Sequence, residues 1–395
     1  MLARYRPVLS VPGCARILTT ALIARLPQGM TSLGILLLIR THTGSYAAAG
    51  IAVGAYDFAT AAGAPVVGRL VDRFGRPRVL GPGAVLQTLV LVALVLTAHA
   101  GAGAVPLVVL SGLAGALWPP IAPSVRALLT DLVRDPKVRE RAYALESVVQ
   151  ELVWISGPLV VAGVIAFASP ATALLFSGTV SVCGTLLFVS SPAAVGRGTG
   201  ATRRGRAPVL AIPELRAILG PIFLNGLAIG SIGVGLPALA LHADSRPATG
   251  LLLALWSVGS ITGGLWYGSR DWHAPLTARY RALLWTGVIC MAPLIAARTI
   301  PEGLIGAVLA GLVIAPVFSC QYSLVGRAAP SGVETEAFTW VSSALVGGLA
   351  AGSALGGAAV SVAGLSGPFV LGVTAMGLAA ISALRMPATA EQPVG

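Results

Sequence analysis

The chain of 395 residues is 56% hydrophobic and only 10% charged, with 26 Lys and Arg against 14 Asp and Glu for a formal net charge of +12. A soluble domain carries about 25% charged residues and needs them to cover its water-facing surface, so this composition excludes a soluble globular protein. The basic excess lies in short stretches between apolar runs, which fits membrane topology rather than nucleic-acid binding.

Twelve apolar runs follow one another at 16–39, 46–67, 79–98, 105–129, 143–167, 171–190, 214–240, 249–268, 283–298, 303–326, 338–362 and 367–385. Most approach or exceed the roughly 20 residues that cross about 30 Å of hydrocarbon. The 49 glycines and 27 prolines are tolerated in membrane helices, where neighbours re-satisfy the backbone. The fold class expected is an all-α polytopic membrane protein with twelve transmembrane helices, here called spans 1 to 12. An even count puts both termini on one side. Connections 69–78, 130–142, 191–213 and 269–282 carry most of the arginines and Lys137, whereas the opposite connections carry Arg40, Arg246 and Arg298. Basic connections stay in the cytoplasm. A multi-pass protein of the plasma (inner) membrane with both termini cytoplasmic is therefore expected. The stretch 191–213, rich in Gly, Pro and Arg, reads as a flexible basic linker. It divides an N-terminal six-helix bundle, 1–190, from a C-terminal one, 214–395.

Arg25 in span 1, Asp57 in span 2 and Glu151 in span 5 lie about halfway along their runs. An ionised side chain at that depth costs at least about 2.5 kcal/mol, so such residues face a cavity or one another. We expect Arg25 to pair with Asp57 and leave Glu151 as the proton carrier, the two acids being interchangeable in these roles. Glu146, Gln150 and Trp154 share a face of span 5. Glu146 is nearer the cytoplasmic end and is expected to be solvated. Trp118, followed by Pro119 and Pro120, interrupts span 4 and is a candidate substrate contact. Asn225 in span 7 and Gln321 with Tyr322 in span 10 are further cavity candidates, and Arg126 is expected to snorkel from the inner end of span 4. Gly348, Gly352 and Gly356 recur every four residues and line one face of span 11, which favours close helix packing.

The four cysteines stand alone, the four histidines lie at span ends, and neither group has metal-ligand spacing. No Gly-rich nucleotide-binding loop occurs. Neither a metal nor a cofactor nor an enzymatic activity is expected.

Between spans 2 and 3 the sequence reads GRLVDRFGRPR, residues 68–78. Its Gly68, Asp72, Arg73, Gly75, Arg76 and Arg78 resemble the signature of the major facilitator superfamily at the same place, and the six-plus-six arrangement agrees. The resemblance implies the major facilitator fold, alternating access and a monomeric transporter of small molecules in the lipid bilayer. It also implies a cytoplasmic latch in which Asp72 meets the start of span 11 near Glu336 and Phe338. Within the family the chain is similar to twelve-helix bacterial drug and metabolite exporters, which implies export in exchange for protons. The alternative is a proton-coupled importer or an uncoupled facilitator. Gly157-Pro158 matches the start of the exporters' antiport signature, but Val161-Ala162 stands where a Gly pair is usual. Span 4 has no Arg before Arg126, where many exporters carry one. After span 8, Gly264, Gly268, Arg270 and Asp271 give a degenerate echo of the signature.

Overall fold

A computed structural model describes residues 2–195 and 209–386. The central part of the expected linker lies outside the described residues. The described residues are helical, with no strand among them. Spans 1 to 3 are the helices Cys14–Thr43, Tyr46–Phe74 and Arg76–His99. Span 4 is broken into Ala104–Ala116 and Ile121–Leu132, because Pro119 and Pro120 can neither donate to nor continue the first piece. Spans 5 to 8 are Pro136–Phe167, Pro170–Val189, Pro213–His242 and Arg246–Gly268. Span 9 is Leu276–Met291, continued by Pro293–Ala296. Span 10 is Ile300–Gly311 followed by Ile314–Ala328. Spans 11 and 12 are Glu334–Ala363 and Gly367–Ala383. Ten stretches are long and apolar enough to cross a membrane; one of them, Glu334–Ala383, holds both spans 11 and 12, while span 9 is shorter.

The helix ends are written in the sequence. Ser45 accepts from the Ala48 N–H, and Ser169 accepts from the Thr172 N–H behind Pro170. Thr299 and Glu302 form a reciprocal capping box at the start of span 10. Spans 2 and 3 are joined by Gly75 alone, at φ +87°, a conformation that only glycine takes at little cost.

Span 1 lies against spans 5 and 6, span 2 against span 4, and span 3 against span 6. Six spans later the pattern repeats: span 7 lies against spans 11 and 12, span 8 against span 10, and span 9 against span 12. The molecule is thus two six-helix halves of one architecture. Small residues set the closest approaches within each half. Gly157 meets the backbone of Gly29, and the Cδ of Pro158 lies over the same spot. Gly348 and Gly352 lie on the backbone of Phe223 and Leu227, and Gly356 lies on Ser231. The glycine face of span 11 is therefore turned toward span 7 of its own half.

The halves meet through spans 2 and 11 and through spans 5, 8 and 10. These contacts crowd toward the end of the molecule that carries the basic connections, here called the basic end. There Ser343 donates to the Ala61 carbonyl, and a Cβ on Gly68 would come within 2.6 Å of Thr339. Gly268 faces Ala144 and Gly264 faces Val148. Toward the other end the same helices have parted. Among the described residues nothing lies within 4 Å of where a Cβ would stand on Gly54, Gly250 or Gly357. A cleft between the halves is thus closed at the basic end and open at the other.

Candidate transport site and gate

At the depth where the halves separate, spans 1, 4 and 5 bury a cluster of charge. Arg25 donates through Nη1 to both carboxylate oxygens of Glu146, at 2.9 and 2.8 Å, and through Nη2 to Gln150 Oε1. Arg126 Nε reaches Glu146 Oε1 at 3.2 Å, and its Nη2 reaches Gln150 Oε1 at 3.3 Å. Arg25 is 1% exposed and Glu146 0%. The Arg126 guanidinium also lies 3.9 Å over the ring of Tyr322, which the second half supplies, a cation–π contact strengthened by desolvation. Tyr322 stacks on Phe318 and meets Tyr143 edge-on, and the Tyr143 hydroxyl lies 2.7 Å from Thr130 Oγ1.

Three expectations change here. Arg25 is bound to Glu146, not to Asp57. Glu146 is fully buried rather than solvated, because its helix begins at Pro136 instead of 143, ten residues or about 15 Å before it. Arg126 does not snorkel: it is buried between Glu146, Gln150 and Tyr322.

Glu151 is one residue beyond Gln150 and stands differently. It is 8% exposed and, among the described residues, takes part in no ion pair. It lies beside Ser260 of span 8, whose Oγ is buried without a partner. Ala144 opposite Gly268, Val148 opposite Gly264 and Glu151 opposite Ser260 form a ladder between spans 5 and 8, with Glu151 the rung farthest from the basic end of these three. Asp57 is exposed and accepts from Ser32 Oγ at 2.9 Å. Helical periodicity puts it on the face of span 2 that carries Ala61, Gly68 and Asp72, so it lines the open part of the cleft. Trp154 is 45% exposed. Trp118 instead packs against the core of the first half. Gln321 donates to the Tyr280 hydroxyl at 3.1 Å, and Asn225 is buried with Nδ2 unpartnered.

At the basic end, Asp72 takes the first turn of span 11. Its Oδ2 accepts from the Glu336 N–H at 2.8 Å and its Oδ1 from the Thr335 N–H at 3.2 Å. A carboxylate there meets orphan donors and the positive end of the helix dipole. Arg69 adds an ion pair to Glu336 at 2.7 Å. Of the remaining arginines, Arg73 lies over the Phe74 ring, Arg76 is 3.6 Å from Asp131, and Arg78 is exposed. A second set of bonds joins spans 5, 9 and 10: Glu140 accepts from Arg279 at 3.0 Å and from Arg327 at 2.7 Å. Sequence reasoning missed this triad. Its only sequence signal is that Glu140 and Arg279 lie in basic connections and that Arg327 stands at the end of span 10. Asp271 accepts from Arg141 at 2.5 Å. That hydrogen bond and charge hold its carboxyl below the usual carboxylate range, with weaker help from Arg4 and Lys137.

The sequence profile of the Major Facilitator Superfamily matches residues 17–269. The chain belongs to this superfamily. Its members are membrane transporters, not enzymes, and this chain is a multi-pass membrane transporter. An uncharacterized MFS-type transporter of Sinorhizobium fredii is 26% identical over 97% of both chains. A bacterial homologue of the iron transporter ferroportin, solved in an outward-facing state, superposes with a TM-score of 0.75 at 14% identity, covering 94% of this chain and 98% of that one. The human organic anion transporter MFSD10 superposes with a TM-score of 0.73 at 17% identity, covering 94% and 99%. At such identities the superpositions speak for the superfamily fold alone.

Proposed function

We propose that this superfamily member exports a small molecule in exchange for protons. The two bundles, 1–190 and 214–395, rock about the buried cluster while the linker 191–213 tethers them. The excess of arginine at the basic end supports placing that end, with both termini, in the cytoplasm of the plasma (inner) membrane. On that placement the structure is outward-open, and the Asp72 contact is the closed cytoplasmic gate. The chain works as a monomer in lipid.

The observation that carries the proton reading is the isolation of Glu151. Arg25 and Arg126 spend their charge on Glu146 within one half, so that group moves as a unit. Glu151 sits between the halves with no cation beside it among the described residues. A carboxyl so placed is free to exchange a proton for substrate as the cleft changes sides. Asp57, further up the cleft, gives a second acid. The apolar walls, Trp154 and the two acids suit an amphiphilic molecule with a cationic group, which would compete with the proton. The fold neighbours, an iron-transporter homologue and an organic anion transporter, do not choose among substrates.

The test is proton flux in proteoliposomes with a trapped pH dye, wild type against Glu151→Gln, over a panel of lipophilic amines. Substrate-dependent proton movement that the variant lacks supports antiport. Substrate movement without protons in the wild type overturns coupling and leaves a facilitator. Protons and substrate moving in the same direction make it a symporting importer.

A further inference from the structure

Residues 2–9 pack onto the bundle. Leu2–Tyr5 and Arg6–Leu9 form two short helical turns ahead of span 1. Val8 is fully buried, and Arg6–Leu9 lies against spans 1 and 5, which ties the segment to the first half. Its side chains nevertheless hold the second half. Tyr5 is 2% exposed, and its hydroxyl donates to the Leu265 carbonyl at 3.1 Å. Arg4 Nη1 donates to the Ser269 carbonyl at 2.8 Å and lies 3.7 Å from Asp271. These groups form the C-terminal end of span 8, where orphan carbonyls and the negative end of the helix dipole favour a donor and a cation. Gly268 makes the fit possible: a Cβ there would strike both the Tyr5 hydroxyl and Ala144 of span 5.

The two-fold repeat of the halves shows why such a device is needed. Asp271 is the acid of the degenerate echo that follows span 8, three residues past its last residue Gly268, whereas Asp72 lies inside span 2. Asp72 caps the start of span 11; the equivalent target for Asp271 would be the start of span 5. That start is already capped by Asp135, which accepts from the Lys137 N–H at 2.8 Å, and it opens with Pro136, which has no N–H. Asp271 therefore turns to the side chains of Arg141 and Arg4. The second latch lacks its helix cap, and the N-terminal segment stands in its place.

We infer that Arg4 and Tyr5 are gate residues of the transport cycle: the N-terminal segment straps span 8 to the first half when the basic end is closed and releases it when that end opens. This rests on reading the basic end as the closed gate of alternating access. The strap differs from the Asp72 latch in being a segment outside the twelve spans, so it can be altered without touching the cleft.

The test is hydrogen–deuterium exchange on full-length protein in nanodiscs, comparing wild type, Tyr5→Ala, Tyr5→Phe and Asp72→Asn. Tyr5→Ala should speed exchange at 136–148 and 260–272 by about threefold or more, and slow it at 154–168, where the cleft closes as the basic end opens. Tyr5→Phe, which loses only the hydroxyl, should lie between. Faster exchange at both ends would mean general loosening and overturn the strap. No change in Tyr5→Ala while Asp72→Asn moves the two ends oppositely would also overturn it, leaving the gate intact. If neither variant moves the ends oppositely, the gate reading itself fails and the strap fails with it.

Discussion

Glu146 and Glu151 are five residues apart on one helix, both nearly buried, and the structure gives them opposite duties. Replacing Glu146 by Gln removes the one carboxylate that, among the described residues, Arg25 and Arg126 share. Two guanidiniums would then face each other in a low dielectric with only amide oxygens between them. Breaking a buried pair by removing one partner costs about 3–5 kcal/mol, and here one substitution strips two cations at once. Tyr322 returns only about 2 kcal/mol to Arg126, and that contact already exists in the wild type. Glu151→Gln breaks no ion pair seen among the described residues, so its cost should stay near about 1 kcal/mol or less. Both variants can be reconstituted in nanodiscs, to read their thermal unfolding midpoints by circular dichroism, and in proteoliposomes, to read their proton flux with the trapped dye. Glu146→Gln should unfold far earlier than wild type or fail to accumulate. Glu151→Gln should keep its midpoint and lose substrate-coupled proton movement. A Glu151→Gln protein as unstable as Glu146→Gln would show that Glu151 holds a structural charge, and the division of duties would be wrong. A Glu146→Gln protein with normal stability would be equally damaging, since it would mean the cluster is not the fixed core of the first half.

Asp72→Asn keeps an acceptor but loses the charge that meets two N–H groups at the start of span 11. The closed basic end should lose about 1.5–2 kcal/mol, roughly a 10- to 30-fold shift toward opening, read as faster cysteine labelling at the basic end. Gly68→Val should do the same by sterics, because even its Cβ lies 2.6 Å from Thr339 Oγ1; a closed-gate labelling pattern in this variant would refute the contact. Glu140→Gln leaves Arg279 and Arg327 without their shared carboxylate, and a double-mutant cycle with Arg279→Gln should show coupling of about 1 kcal/mol or more. Asp271 has its carboxyl depressed by Arg141, so the contribution of that pair is present above the ordinary carboxylate value. It is lost as pH falls through the depressed one. A double-mutant cycle with Arg141 should give coupling at pH 7 that is lost only below the ordinary carboxylate value, as pH falls through the depressed one, and coupling already gone above the ordinary value would contradict the assignment.

The sequence revealed depth far better than it revealed direction. Apolar run length is a one-dimensional signal, set by the thickness of hydrocarbon, and twelve runs became twelve helical spans. Loop chemistry is equally local: Gly75 with its positive φ, and the proline pair that breaks span 4, could be read from a few residues. Pairing of buried charges depends on the rotation of each helix about its axis and on which helices are neighbours, and neither is written in a window of sequence. Arg25 and Asp57 each lie about halfway along their apolar runs, yet Asp57 meets Ser32, seven residues or about 10 Å beyond Arg25 along span 1, and span 1 turns Arg25 toward span 5. The misplacement of Glu146 has a second cause. Polar residues 136–142 hid the first two turns of its helix, so a residue about 15 Å along the axis looked like one near the surface. Arg126 was misplaced for a related reason: the tyrosine that buries it comes from residue 322, on the far half. The same blindness hid the N-terminal strap, whose Tyr5 and Arg4 acquire meaning only once the end of span 8 is beside them. What a membrane transporter writes locally is its passage through lipid. What it writes only in three dimensions is the set of contacts between halves that must form and break for anything to cross.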